Sequence, residues 1–176
     1  MGLAKAQSTM AIPGDGLDIR ISEAETPGQL AEVRAMFVEY GDLLLERHAG
    51  VCMGSFQEET DGLPGAYAPP AGALLIAERR GAAIGCVGLR PLAPGCGEMK
   101  RLYVRPQARG TGAGRELVQA VLDVARLRGM DRVRLDTLPH MTEAIALYRS
   151  FGFRQIEEYA GNHPPGSVCF EYTIGK

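Results

Sequence analysis

The segment Gln107-Ala108-Arg109-Gly110-Thr111-Gly112-Ala113-Gly114-Arg115 constrains this chain more than any other. It follows an alternating stretch that ends at Val104. It leads into the most regular amphipathic segment of the sequence, Gly112 to Arg128, where Leu117, Val118, Val121, Leu122 and Ala125 fall on one helical face. Three glycines at alternate positions let the main chain pass close to a ligand without Cβ interference. The free N–H groups of the helix's first turn then face outward with the positive end of its dipole. Strand, glycine turn and helix start in that order make a site for an anion. Charge agrees: Lys100, Arg101, Arg105, Arg109 and Arg115 stand between Met99 and Arg115, with no acidic residue among them.

The chain as a whole has the opposite balance. Its 176 residues carry a net charge of −2, with 45% hydrophobic and 23% charged residues, the composition of a globular domain. A mildly acidic protein does not coat nucleic acid by bulk charge, so no nucleic-acid partner is expected and the anion is a local polyphosphate. The run G-x-x-x-x-G-K-[ST] of nucleotide P-loops is absent, and the dinucleotide fingerprint fails because Arg115 stands where its third glycine belongs. Length predicts a single domain over residues 17–176, and the aperiodic residues 1–16 read as a mobile arm. With no run of about 20 apolar residues and no apolar block near Met1, neither a membrane span nor a secretory signal is expected, which points to the cytoplasm. Cys52, Cys86, Cys96 and Cys169 are scattered and read as free thiols. His48, His140 and His163 are far apart, read as surface or loop histidines, and predict no metal.

Periodicity orders the remainder as βα(α)βββαβαββ. Leu17 to Ser22 alternates as a strand. Thr26-Pro27-Gly28-Gln29 is a capping box that starts a helix running to about Arg47, with Leu30, Val33, Met36, Phe37, Tyr40 and Leu44 as its apolar stripe. Ser55 followed by Glu58 marks a shorter helix, and a Pro/Gly loop spans Leu63 to Gly72. Ala73 to Glu78 and Ala82 to Leu89 flank a hairpin turn at Arg79-Arg80-Gly81, and Glu98 to Val104 is the next strand. After the long helix come a strand at Asp131 to Asp136, a helix from Pro139 or Thr142 to Phe151 ended by Gly152, and strands at Phe153 to Ile156 and Val168 to Ile174. The fold class is α/β (α+β): a mixed, mostly antiparallel sheet of about seven strands flanked by helices.

On these residues the sequence resembles the GNAT superfamily of N-acetyltransferases. Gln107 to Gly112 matches the family's Q/R-x-x-G-x-G/A at every specified position. Glu98-Met99-Lys100-Arg101-Leu102-Tyr103-Val104-Arg105-Pro106 is similar to its fourth strand, and Ala144 to Phe153 to its A-x-x-L-Y-x-x-x-G-F helix. The resemblance covers roughly Leu17 to Ile174. It departs at Met141, where the family often carries an asparagine that contacts the cofactor arm. It implies acetyl-coenzyme A as donor. Gln107, Arg109, Gly110, Thr111, Gly112, Ala113, Gly114 and Arg115 would cradle its pyrophosphate. Leu102, Tyr103 and Val104 would meet its pantetheine arm like an added strand, beside a splay between the fourth and fifth strands.

The implied chemistry moves an acetyl group to a primary amine, foremost of a small molecule. A protein N-terminus or lysine as acceptor, and a non-catalytic acyl-coenzyme A-binding regulatory module, remain as alternatives. A free alkyl amine is mostly protonated at neutral pH, so a base is needed. Glu98, opening the fourth strand, is the candidate base; its other reading is a solvated surface glutamate paired with Lys100 or Arg101. A strand N–H near Leu102 or Tyr103 would meet the oxyanion, and Tyr148 is the candidate acid for the departing thiolate. Tyr148 also reads as an aromatic that only packs below the sheet. Leu63 to Pro70 and the loop Asn162-His163-Pro164-Pro165 would wall the acceptor cleft, with Tyr40, Tyr67 and Tyr159 as further lining. Arg90, Lys100 and Arg101 are placed to meet a carboxylate. Relatives commonly dimerise, so a homodimer is a further expectation of the resemblance.

Overall fold

The computed structural model describes residues 18–47, 54–161 and 163–175. The arm expected over residues 1–16, His48, Cys52 and Asn162 lie outside them. Strand β1 (Ile19–Glu23) leads into α1 (Pro27–Arg47) and α2 (Gly54–Asp61), followed by a 3₁₀ turn at Gly65–Tyr67. Strands β2 (Ala73–Arg79), β3 (Ala82–Ala93) and β4 (Cys96–Val104) form a meander. Next come a 3₁₀ turn at Pro106–Ala108, α3 (Ala113–Leu127), β5 (Arg132–Thr137), α4 (Thr142–Phe151), β6 (Arg154–Ile156) and β7 (Val168–Thr173). The predicted order of elements holds throughout.

Local chemistry explains the boundaries. The Gln29 N–H donates to the Thr26 hydroxyl at 3.2 Å, and the Thr26 N–H donates back to Gln29 Oε1 at 3.3 Å, the reciprocal cap read from the sequence. Arg79 pairs with Ala82 across a two-residue turn, with Arg80 at φ 52° and Gly81 at φ 79°. Two positive φ values make this the I′-type turn whose twist matches the flanking strands.

The seven strands lie in one sheet ordered β1-β2-β3-β4-β5-β7-β6. All neighbours are antiparallel except β4 and β5, which run parallel. A parallel pair needs a crossover, and α3 supplies it. Leu117, Val118, Val121, Leu122 and Ala125 are all buried, so the predicted face of α3 seals one side of the sheet with α4. On the opposite side Val33, Met36 and Phe37 of α1 pack with Phe56, Leu63 and Tyr67 over Leu74, Ile76 and Cys86. Cys86, Cys96 and Cys169 are buried free thiols. Among the described residues no helix is long and apolar enough to cross a membrane.

Candidate active site

The parallel pair is where the sheet opens. Strands β4 and β5 pair only at Cys96↔Arg132, Gly97↔Val133 and Glu98↔Arg134, and β5 continues beyond this point along β7 alone. A bulge in β4 is the local cause. Cys86 faces Tyr103 and Gly88 faces Lys100, so Arg101 and Leu102 stand opposite one residue of β3. Arg101 takes φ 60°, a left-handed conformation that costs a non-glycine residue energy, and the bulge bends β4 away from β5. Glu59 and Phe56 hold Arg101 there. Its Nε and Nη2 donate to the two Glu59 oxygens at 3.1 and 2.7 Å, and its guanidinium lies 4.3 Å over the Phe56 ring. The Arg105 N–H donates to the Ile84 carbonyl. Strand alternation therefore aims the N–H groups of Val104 and Leu102 at the open side.

A cleft of about 1000 Å³ occupies this opening at the carboxyl ends of the parallel strands. Leu102, Tyr103 and Val104 wall one side, the turn from Ala108 to Arg115 the top, and α4 the other side. Gly110 and Gly112 have φ 77° and 91°, and a Cβ on Gly110 would meet open space, so the glycines are needed for backbone shape. Gly112 caps α3 without a side-chain hydrogen bond, which leaves first-turn N–H groups without a side-chain partner beside the cleft. The Thr111 hydroxyl donates to the Ala108 carbonyl at 2.6 Å and fixes the turn. Gln107 is exposed and does not line the cleft.

The positive patch read from the sequence is largely spent inside the protein. Lys100 pairs with Asp136, Arg101 with Glu59, and Arg105 with Glu39 and Glu32. Arg109 and Arg115 have no carboxylate partner among the described residues and stay with the turn. Arg109 Nε donates to the Val104 carbonyl at 3.2 Å, and Arg115 stacks 4.8 Å over Phe151.

Tyr148 lies in the cleft wall near Tyr40 and Asp136 and packs at 5.8 Å on Phe153 and 6.4 Å on Phe170. Burial, with smaller contributions from Tyr40 and Asp136, pushes its hydroxyl well above the ordinary tyrosine value, so it stays protonated. Its ring packs in the core while the residue also lines the cleft. Met141 also lines the cleft, and its sulfur accepts from Thr137 Oγ1 at 3.5 Å.

Glu98 departs from expectation. It is not solvated and not paired with Arg101, although Lys100 Nζ does lie 3.9 Å from its Oε1, as one reading expected. Only 1% of it is exposed, and it does not line the cleft. Its Oε2 accepts from Arg90 Nε and Nη2, both at 2.7 Å, and its Oε1 accepts from the Tyr159 hydroxyl at 2.9 Å. As the first paired residue below the splay, it is turned into the protein rather than toward the opening. Arg90, like Lys100 and Arg101, is thus already neutralised from within, which removes the sequence argument for a free carboxylate-binding cluster.

One residue the sequence reading left out, Asp136, and one it placed only in a loop over the cleft, His163, come forward. Asp136, near the end of β5, lines the cleft and accepts from Lys100 Nζ at 2.6 Å. Burial acts to raise its carboxyl, but the Lys100 ammonium holds it below the ordinary carboxylate value. His163, read as a surface histidine, has a fully enclosed ring that packs 4.5 Å edge-on against Tyr159. Donor atoms of Glu98, Asp136 and His163 lie within 4.8 Å of one another, a metal-like spacing that sequence distance concealed. Arg90 and Lys100, however, already bind those carboxylates as cations, and a divalent ion would add charge to a neutralised site. The sequence signal for Asp136 was its position at the carboxyl end of a parallel strand, where open α/β sheets bind ligands. The signal for His163 was its place in the loop expected to wall the cleft, which His163, Pro164 and Pro165 do line.

The fold and the open strand pair define an acyl-transfer architecture, and the comparisons agree. The acetyltransferase (GNAT) family profile matches residues 37–153. An uncharacterized N-acetyltransferase of Schizosaccharomyces pombe is 35% identical over 161 residues, spanning 90% of this chain and 97% of its own. Another uncharacterized N-acetyltransferase, from Escherichia coli, is 30% identical and covers 81% of this chain and 84% of its own. A solved PaiA N-acetyltransferase of Thermoplasma acidophilum, in complex with coenzyme A, shares the fold at TM-score 0.71 and 16% identity, covering 89% of this chain and 99% of its own. The chain belongs to the GNAT family and is an acetyl-coenzyme A-dependent N-acetyltransferase.

Proposed function

We propose that this enzyme acetylates a primary amine of a small molecule. The observation that carries the acceptor class is a second hollow of about 310 Å³ adjoining the cleft, walled by Glu58 and Glu59 of α2, the 3₁₀ turn at Gly65–Tyr67, and Arg90. Its size suits a small ligand, and Pro164 and Pro165 narrow the neighbouring cleft from the β6–β7 side.

Main-chain N–H groups of the turn from Arg109 to Arg115 hold the donor's diphosphate, and the open edge of β4 at Leu102 and Val104 lies along its arm. The donor, when bound, supplies the thioester carbonyl. A β4 N–H near Leu102 or Tyr103 donates to the oxygen as negative charge builds on it, an interaction worth about 3 kcal/mol in a dry site. Tyr148 gives its proton to the leaving sulfur. Asp136 replaces Glu98 as the group that receives the amine's proton, because it faces the cleft while both oxygens of Glu98 are engaged.

Thiol release across a panel of small amines tests the reading, alongside intact-mass analysis of incubated proteins. Turnover of at least one small amine is expected. Modification of protein alone would overturn the acceptor class. Calorimetry with the donor checks the cradle: Gly112→Asp combines a strained φ with a misplaced negative charge and is expected to weaken binding at least about 10-fold.

A further inference from the structure

His163 holds an atom without a partner. Its Nε2 lies 3.0 Å from the Tyr159 carbonyl, and a carbonyl only accepts, so Nε2 carries the ring proton. In the neutral ring, Nδ1 is then a bare lone pair. It is buried, makes no hydrogen bond, and faces Asp136 Oδ1 at 3.4 Å. Two acceptors confront each other across a gap that fits one proton. A proton placed there turns an unfavourable contact into a charge-assisted hydrogen bond.

The surroundings keep the ring in this attitude. A Cβ on Gly161 would stand 2.9 Å from Nε2, so a residue without a side chain is what lets the imidazole lie against the backbone. Every charged or titratable neighbour has a defined task. From β4, Glu98 is bound to Arg90 and Lys100 is bound to Asp136. From β5, Arg134 pairs with Glu171 and stacks 5.3 Å over Tyr159, whose hydroxyl is committed to Glu98. Buried Cys169 of β7 and Tyr148 of α4 both have raised values and stay neutral. None of these groups supplies a proton to Nδ1, and Asp136 is the one that reaches both Nδ1 and the cleft.

We infer that His163 is the terminal acceptor for the proton removed from the amine, with Asp136 as the relay. The inference rests on the acetyl-transfer reading of the cleft. The incoming ammonium gives one proton to Asp136, which passes it to His163 Nδ1. The freed nitrogen pair forms the N–C bond to the acetyl carbon as the C–S bond breaks. The sulfur takes the Tyr148 proton, and the Tyr148 oxygen recovers one from the newly acylated nitrogen. The net products are the amide, the thiol and one proton on His163, which leaves to water through Asp136 once the cleft empties. Asp136 alone is a poor base because Lys100 holds its carboxyl low.

His163→Gln tests this through the pH dependence of kcat/KM. With the relay in place, activity requires Nδ1 of His163 free to accept, and that requirement sets the acidic limb. In the variant, kcat/KM is expected to fall by roughly 10²-fold and the acidic limb to move at least about one pH unit toward acid, where Asp136 alone governs it. A merely structural histidine would lower activity without moving the limb, and that outcome overturns the inference. Nitrogen-15 labelling gives a second readout, since the chain has only three histidines. At pH above the limb, His163 is expected as the Nε2-protonated tautomer, and a Nδ1-protonated ring would contradict the relay. Wild-type turnover of amines is scored separately, so failure of the acetyl-transfer reading is distinguished from failure of the relay.

Discussion

At the scale of single residues, the site separates groups that meet ligand from groups that hold other groups. In the proposed reaction Tyr148 is of the first kind, and burial keeps its hydroxyl protonated at neutral pH. Tyr148→Phe keeps the ring packing on Phe153 and Phe170 and removes only the proton, so kcat is expected to drop roughly 10²-fold with donor affinity unchanged. Steady-state kinetics beside calorimetry checks this. Glu98 is of the second kind. Glu98→Gln leaves half-buried Arg90 without its counter-ion and is expected to destabilise the fold by about 1–3 kcal/mol while the acidic limb of kcat/KM stays in place. Urea unfolding and a pH profile read the two effects separately, and a displaced limb would restore Glu98 as the base. The sequence located Glu98 on the correct strand but could not tell which face its side chain would take. That depended on Tyr159 and Arg90, 61 and 8 residues away.

At the scale of elements, the decisive feature is the bend in β4. A left-handed Arg101 is stable only because α2 offers Glu59 as a bidentate partner. Burial acts to raise Glu59, but the Arg101 guanidinium and the Tyr67 hydroxyl hold its carboxyl below the ordinary value. Glu59→Gln is expected to cost about 1–3 kcal/mol and to raise KM for the acceptor more than for the donor, because the bulge and the smaller hollow share these residues. Two-substrate kinetics distinguishes the two constants. The helices themselves were legible: the capping box at Thr26, the face of α3 and the glycine after α4 are local signals, and local energetics decide them. The bulge was not, because nothing in Lys100-Arg101-Leu102 marks a positive φ on an arginine.

At the scale of the whole molecule, two half-buried carboxylates tie separate layers together. Glu59 fastens α2 to the sheet, and Asp136 fastens β5 to Lys100 of β4. Both have values lowered in the fold, so each stabilises the protein above the ordinary carboxylate range, near pH 4, and that contribution disappears as pH falls through the folded values. Stability to urea is therefore expected to be steady from about pH 7 to 5 and to fall below about pH 4. An unchanged midpoint at pH 3 would contradict the coupling. Order of elements, the sheet of seven strands and the glycine cradle were determined by the sequence alone. They follow from periodicity, caps and residues that permit special backbone angles, all of which act over a few positions. The reach of Asp136 into the cleft, the enclosure of His163 and the withdrawal of Glu98 were decided only by tertiary structure. Each depends on burial and on charged partners brought from other strands, and the energy of an ionisable group is set by what surrounds it in space.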